Sequence, residues 1–240
     1  MTGERRTESA PEVALRETCR LVRGRVPLWP YHRLRLESGG CGEEVLLAAD
    51  ALVAREASGW SGAESNRLRL TLVVTPDGSV DACVQRRLSS LDVPGGPLAV
   101  AVAANGCPPL SRSAAKPADR SWWDDAQRRA RSAGGHQAVI VSPDGFVVDG
   151  GTATVWAVVD GALVTPPAPG AVAGVARAFV LDARVRAGAP ARVGPLAAAA
   201  LEGAEEVFLT NAFGAAVAVR GRGGPVFDEV AAAFADLWVS

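Results

Sequence analysis

The chain has 240 residues, 48% apolar and 21% charged, which is enough apolar content to bury a core and too much for a disordered segment. Its 25 basic and 26 acidic residues leave a net charge of −1, which argues against a general nucleic-acid binder. No apolar run reaches the roughly eighteen residues of a membrane span, and the polar start MTGERRTESAPE lacks the apolar stretch of a secretory signal. A cytoplasmic protein with no membrane and no nucleic-acid partner is expected. Cys19, Cys41, Cys83 and Cys107 form no CxxC pair, and the histidines are His32 and His136 alone, so no metal site is expected.

In chain order, a frayed tail precedes residues 17–28, which read as a strand pair around Arg23-Gly24-Arg25. From Cys41 to Ala57, Val45, Leu46, Ala49, Leu52 and Val53 recur at helical spacing. RLRLTLVV at 67–74 alternates as a half-buried strand, and Pro76-Asp77-Gly78 turns it into a second strand over 80–85. LAVAVAA at 98–104 is an apolar strand. The Pro, Gly and Ser of the following stretch predict an interdomain linker at 107–115. The expected domains are thus a smaller one at 1–106 and a larger one at 116–240.

In the second half, residues 122–133 read as a helix ending at Gly134-Gly135. Strands are expected at 137–142, 146–149, 152–159 and 162–165, then a helix at 172–187. Strands at 206–210 and 215–220 and a helix at 227–238 follow. Hairpin connections dominate, which predicts an α+β fold with antiparallel or mixed sheets and flanking helices.

Of the 25 basic residues, 24 are arginine and one is lysine, Lys116. GC-rich coding accounts for such an excess, and arginine replaces lysine freely on a surface. It does not replace an amine that must lose its proton and attack a carbonyl. On the count alone both readings of Lys116 stay open.

The context of Lys116 resembles the class IV aminotransferases, the fold-type IV enzymes that use pyridoxal phosphate. The order is Lys116, the helix after Trp122, QAVIVS, DGFVVDGG, TATVW and DGALVTPP, then Gly174-Val175-Ala176-Arg177. EEVFLTNAFG at 205–214 and GRVPLWPYHRLRL at 24–36 extend the likeness from about Glu17 to Arg220. The resemblance implies a two-domain fold like that of D-amino acid aminotransferase. It makes Lys116 the Schiff-base lysine and Asp149 the carboxylate facing the pyridine nitrogen. The phosphate would rest on the N–H groups of Val175 and Ala176 at a helix N-terminus, with Thr210 and Arg35 adding a hydroxyl and a guanidinium. The cofactor is expected between the two halves of the chain, and a homodimer is implied.

Four departures stand out. The family's Glu is Asp149, the Asn of its Ser-Asn-aromatic strand is Thr154, and the Thr of Gly-Ile-Thr-Arg is Ala176. Its Gly-rich N-terminal segment is reduced to Val13-Ala14-Leu15-Arg16-Glu17-Thr18. The members most similar are the 4-amino-4-deoxychorismate lyases, because of Leu209-Thr210-Asn211 and because Ser121 stands where branched-chain enzymes carry tyrosine. The implied activity is elimination of pyruvate to leave 4-aminobenzoate, a folate precursor. A transaminase acting on an amino acid is the alternative, and a degenerate, non-catalytic homologue the second.

Overall fold

A computed structural model describes residues 10–60, 68–92, 100–104, 115–167 and 171–239. The chain divides into two compact units. The first comprises Met1–Arg87 with Ala115–Asp119, and the second Leu88–Ala114 with Arg120–Ser240. Of the segment expected as a linker, 107–115, only Ala115 lies among the described residues.

In the first unit, strand β1 (Leu15–Leu21) is followed by helices α1 (Trp29–Ser38) and α2 (Glu43–Ser58), then strands β2 (Leu68–Val74) and β3 (Val80–Arg86). The three strands form an antiparallel sheet in the order β1-β2-β3. Period-two alternation sends Leu15, Cys19 and Leu21 of β1 and Leu68, Leu70, Leu72 and Val74 of β2 to one face, where they pack with Val45, Leu46, Ala49 and Val53 of α2. The turn of the β2–β3 hairpin is tied by Asp77, whose Oδ1 accepts from Ser79 N at 3.0 Å, and by Gly78 at φ +84°.

The strand pair expected over 17–28 holds only at its turn, where Val22 and Arg25 exchange backbone hydrogen bonds at 2.8 and 2.9 Å, and no second strand follows. β1 runs Leu15–Leu21, Arg23 and Gly24 turn at positive φ, and α1 takes the chain away from the sheet. α1 escapes an apolar-periodicity reading because its buried residues are His32, Arg35 and Leu36, while Leu34 is exposed. A Pro in the first turn starts this helix.

The second unit opens with β4 (Val100–Ala104), α3 (Ser121–Ser132), β5 (Gln137–Val141) and β6 (Val147–Gly150). β4 pairs parallel with β5, and β5 antiparallel with β6. Next come β7 (Thr154–Val159), β8 (Ala162–Thr165), α4 (Val175–Arg186), β9 (Arg192–Val193), α5 (Ala200–Gly203), β10 (Glu206–Asn211), β11 (Ala215–Ala218) and α6 (Pro225–Val239). Five of these strands form a sheet in the order β11-β10-β7-β8-β9, antiparallel except for β8 against β9. One face of β7 and β10 (Val155, Ala157, Val207, Leu209) closes a core with Val139, Val141 and Leu196. On the other face Trp156 stacks on Phe208, and Phe227 of α6 lies against Phe208. The mixture of helices with antiparallel and mixed sheets is the α+β class expected from the sequence. β9 and α5 are too short to leave a periodic pattern.

Candidate active site

The first unit gathers its charged groups around β1. Glu17 stands on the core-facing side of that strand and is 1% exposed. Its carboxylate accepts hydrogen bonds from His32 Nδ1 at 2.5 Å and from Arg35 Nε at 2.8 Å, and a further one from Arg35 Nη2. Burial alone would raise the Glu17 pKa. The Arg35 charge, then His32, outweigh it and hold the group down at about 2. Burial lowers the pKa of His32, which is only partly offset by Glu17, so the ring is neutral near pH 7 and its Nδ1–H is the donor.

Lys116 belongs to the same unit, through a short antiparallel contact with β1. Arg16 N donates to Lys116 O at 2.9 Å, and Ala118 N to Ala14 O at 2.7 Å. Ala115 is buried in the core beside it. A Cβ on Gly39, where α1 ends, would lie 2.5 Å from Leu15 Cδ1 and 3.0 Å from Ala115 Cβ, so only glycine lets the helix end pass this close. The Lys116 ammonium donates to Thr18 Oγ1 at 3.1 Å. Thr18 faces away from the core, opposite to Glu17 and Cys19.

The second unit holds a small pocket lined by Val148, Asp149, Thr154, Val155, Pro166, Ala171, Val172 and Arg177. Asp149 is at the end of β6 and is 8% exposed. Its Oδ1 accepts from Gly150 N at 2.9 Å and its Oδ2 from Val172 N at 3.3 Å. Burial pushes its pKa up to about 6, against the pull of those two N–H groups and of the Arg120 charge. Arg120 is fixed by donating to Gly151 O at 2.8 Å and by lying 4.7 Å from the centre of the Trp123 ring. Arg177 also lines the pocket: its Nη2 donates to Pro166 O at 3.1 Å, and its Nε is buried with no hydrogen-bond partner among the described residues.

α4 starts at this pocket. Its N-cap is Gly174, with no side-chain cap, so the first-turn N–H groups of Val175 and Ala176 are left for an acceptor from outside the helix. A Cβ on Gly174 would meet Thr154 Oγ1 at 2.5 Å, which keeps the entry to the helix bare. Thr210 pairs with Thr154 across β10 and β7 and so shares its face. It is 1% exposed, and its hydroxyl accepts from Trp156 Nε1 at 2.9 Å. That leaves its own proton to donate.

The residues expected from the sequence thus fall into two sets. Asp149, Val175, Ala176 and Thr210 lie in the second unit. Lys116 and Arg35 lie in the first, with the Arg35 guanidinium turned onto Glu17. The set suits pyridoxal phosphate: a buried carboxylate for a ring nitrogen, an uncapped helix N-terminus for a phosphate, and a primary amine. Glu17, His32, Thr18 and Arg177 were given no site role from the sequence. A glutamate at a core position of an alternating strand was the available signal for the first, and His32 and Arg35 at i, i+3 become a pair once α1 is seen as a helix.

Comparison with known proteins shows the family and the fold. The family model for amino-transferase class IV matches residues 14–221. No curated protein matches the chain. Among solved structures, a hypothetical aminotransferase from Mycobacterium tuberculosis in its PLP-bound form is similar at TM-score 0.79 and 20% identity, over 95% of this chain and 89% of that one. The fold IV-transaminase CpuTA1 from Curtobacterium pusillum is similar at TM-score 0.76 and 21% identity, over 95% and 87%. A putative 4-amino-4-deoxychorismate lyase from Legionella pneumophila is similar at TM-score 0.75 and 16% identity, over 98% of both chains. The chain belongs to the class IV aminotransferase family, whose transaminases and lyases use pyridoxal phosphate.

Proposed function

We propose that the protein is a lyase that eliminates pyruvate from 4-amino-4-deoxychorismate and leaves 4-aminobenzoate, a step that serves folate biosynthesis. The observation that carries the cofactor reading is the pocket where buried Asp149 stands beside the uncapped start of α4. Two features support lyase over transaminase. One is the likeness of Leu209-Thr210-Asn211 to lyase members. The other is the matching length of the Legionella protein, which is covered over 98%.

In this reading Lys116 is the covalent anchor. Asp149 would hold the pyridine nitrogen protonated, and the N–H groups of Val175 and Ala176 with the Thr210 hydroxyl would hold the phosphate. Arg35, whose charge is met by Glu17, would turn to the phosphate only with the part of its guanidinium that Glu17 leaves. Bound pyridoxal phosphate supplies an aldehyde that captures amines and a ring that withdraws an electron pair from the neighbouring carbon. Thr18 keeps the Lys116 amine oriented. Lys116 Nζ takes the proton from the carbon bearing the substrate amine, and then delivers a proton to the departing enolpyruvyl group. Asp149 would be held charged: burial, offset by the N–H groups of Val172 and Gly150 and by Arg120, leaves it at about 6, and a cationic ring bound there would lower that value. The same reading gives a cytoplasmic homodimer, which a 25 kDa-class particle in light scattering would refute.

The second reading is a transaminase, in which Lys116 moves the proton between two carbons instead of releasing a fragment. One assay separates them. Holoenzyme given aminodeoxychorismate alone is expected to produce 4-aminobenzoate and pyruvate in equal amounts. Turnover only with an amino acid and 2-oxoglutarate would replace the lyase by the transaminase.

A further inference from the structure

One buried donor of the second unit lacks an acceptor. Trp123 is 1% exposed, and its indole N–H has no hydrogen-bond partner among the described residues. Leaving such a group unpaired costs stability. With Ala126 and Ala130 of α3, Trp123 packs on Ala138 and Ile140 of β5 and on Val148 of β6, and Val172 packs against the same cluster. Two side chains on the same stripe of α3 reach the backbone just past Asp149. Arg120, at the N-cap, donates to Gly151 O at 2.8 Å and lies over the Trp123 ring. Gln127, one turn after Trp123, accepts from Ala138 N at 3.1 Å, and a Cβ on Gly151 would meet its Oε1 at 2.4 Å. The indole thus sits between two side chains held at Gly151, beside Val148 and Val172. The backbone donors of Asp149 come from the same places, Gly150 N next to Gly151 and Val172 N. Burial raises the Asp149 pKa, and Val172 N, Gly150 N, the Arg120 charge and the Trp123 N–H pull it back, in that order. Arg177 is the other charged group that feels Asp149.

We infer that Trp123 is a positioning residue for Asp149: its indole N–H is the third donor to that carboxylate, after Gly150 N and Val172 N, and fixes the orientation in which the carboxylate meets a ring nitrogen. An ionised carboxylate offers about four acceptor positions on its two oxygens. Gly150 N takes one on Oδ1 and Val172 N one on Oδ2, which leaves one for the indole and one for a ring N–H. A charged acceptor strengthens the indole bond, and the bond in turn favours the charged form, so the donor and the charge are coupled. Arg120 and Gln127 keep the indole in register with the carboxylate through Gly151. The inference rests on the proposed role of Asp149 toward the ring and adds a residue that acts through it.

The test is a pH titration of the full chain, stripped of cofactor, by nuclear magnetic resonance. The chain has six tryptophans, and their indole N–H resonances are followed together. The one that Trp123→Phe removes is expected to move downfield as Asp149 ionises, with a midpoint of about 6. In Asp149→Asn that movement should vanish. The Asp149 carboxyl, followed by carbon-13, should titrate about one pH unit higher in Trp123→Phe, a tenfold weaker hold on its ionised form. A Trp123 indole that does not titrate, a titration that survives Asp149→Asn, or an unchanged Asp149 midpoint in Trp123→Phe would each overturn the inference. If Trp123→Phe does not fold, the comparison with Asp149→Asn decides alone, and the absence of any indole resonance whose movement depends on Asp149 overturns it. In the loaded enzyme, Trp123→Phe should lower kcat several-fold with KM unchanged, and should add nothing in an Asp149→Asn background. An undiminished loss in that background would mean that the ring acts by packing alone. Visible absorbance of the loaded samples reads the cofactor separately. A colourless protein whose indole follows Asp149 sinks the ring-binding role of the pocket and keeps this contact, and a yellow protein whose indole ignores Asp149 does the reverse.

Discussion

Glu17 meets Arg35 side-on, accepting from Nε at 2.8 Å and also from Nη2, with both residues closed off from water. His32 fills the remaining side of the carboxylate from the next turn of the same helix. A charge pair this buried is costly to leave half-made. Glu17→Ala should destabilise the cofactor-free protein by about 3–5 kcal/mol, because an unpaired guanidinium stays behind. Replacing both partners, as Glu17→Leu with Arg35→Met, should recover most of that loss in urea titrations. A single variant no worse than the double would mean that packing, not the charge pair, sets the cost.

The pH dependence of stability has three contributions of differing sign. Glu17 titrates at about 2 in the fold against an ordinary 4.5, so its contribution is full above pH 4.5 and is lost as pH falls toward 2. His32 is held neutral below its usual 6.5, so its contribution also fades as pH drops under 6.5. Asp149 runs the other way. With its value raised from 3.8 to about 6, its contribution is full below pH 3.8 and is lost as pH rises through 6. The cofactor-free protein should therefore change little in Tm between pH 7 and pH 5 and fall steeply below 4.5. In Asp149→Asn the opposing contribution is gone, and the decline should begin near pH 6.5. Identical profiles for the two proteins would show that Asp149 is not desolvated.

Asp149→Asn also tests the chemistry. The amide keeps the shape of the pocket wall and still accepts a hydrogen bond, but it does not hold a ring nitrogen protonated. Cofactor binding should persist while turnover falls by about one to two decades, the effect of losing a charge-assisted hydrogen bond of about 1.5–3 kcal/mol. Near-normal turnover would place another carboxylate opposite the ring.

Much of this layout was legible in the sequence where apolar periodicity was strong. α2, the β2–β3 hairpin and the β7–β8 hairpin follow their patterns to within a residue or two. α1 was not legible, because it buries a histidine and an arginine against Glu17 and so carries its core pattern in polar residues. Asp149 stood out by its register after DGFVV, and its burial in the pocket is what a shortened side chain needs if it is to meet a ring. Thr18 could not be read in advance. Its place on the face of β1 away from the core, opposite Thr71, comes from strand register, which pairs residues about fifty positions apart in the chain.

Lys116 carries the decisive prediction. It is the chain's one lysine among 25 basic residues, and its amine donates to Thr18 on the face of β1 turned away from the first unit's core. Lys116→Ala should fold normally, lose the visible absorbance of the bound cofactor and show no turnover. Lys116→Arg should fail equally although it keeps the positive charge, because a guanidinium does not lose its proton near neutral pH. That second variant decides between the two meanings of the lysine count. A surface cation would accept arginine silently; every other basic position in this chain holds arginine. Borohydride reduction of the yellow protein, followed by peptide mapping, gives a check that does not depend on activity. The reduced cofactor must appear on the peptide containing Ala115-Lys116-Pro117. With no second lysine to take it, an unlabelled peptide after complete reduction would end the role of Lys116 as the anchor.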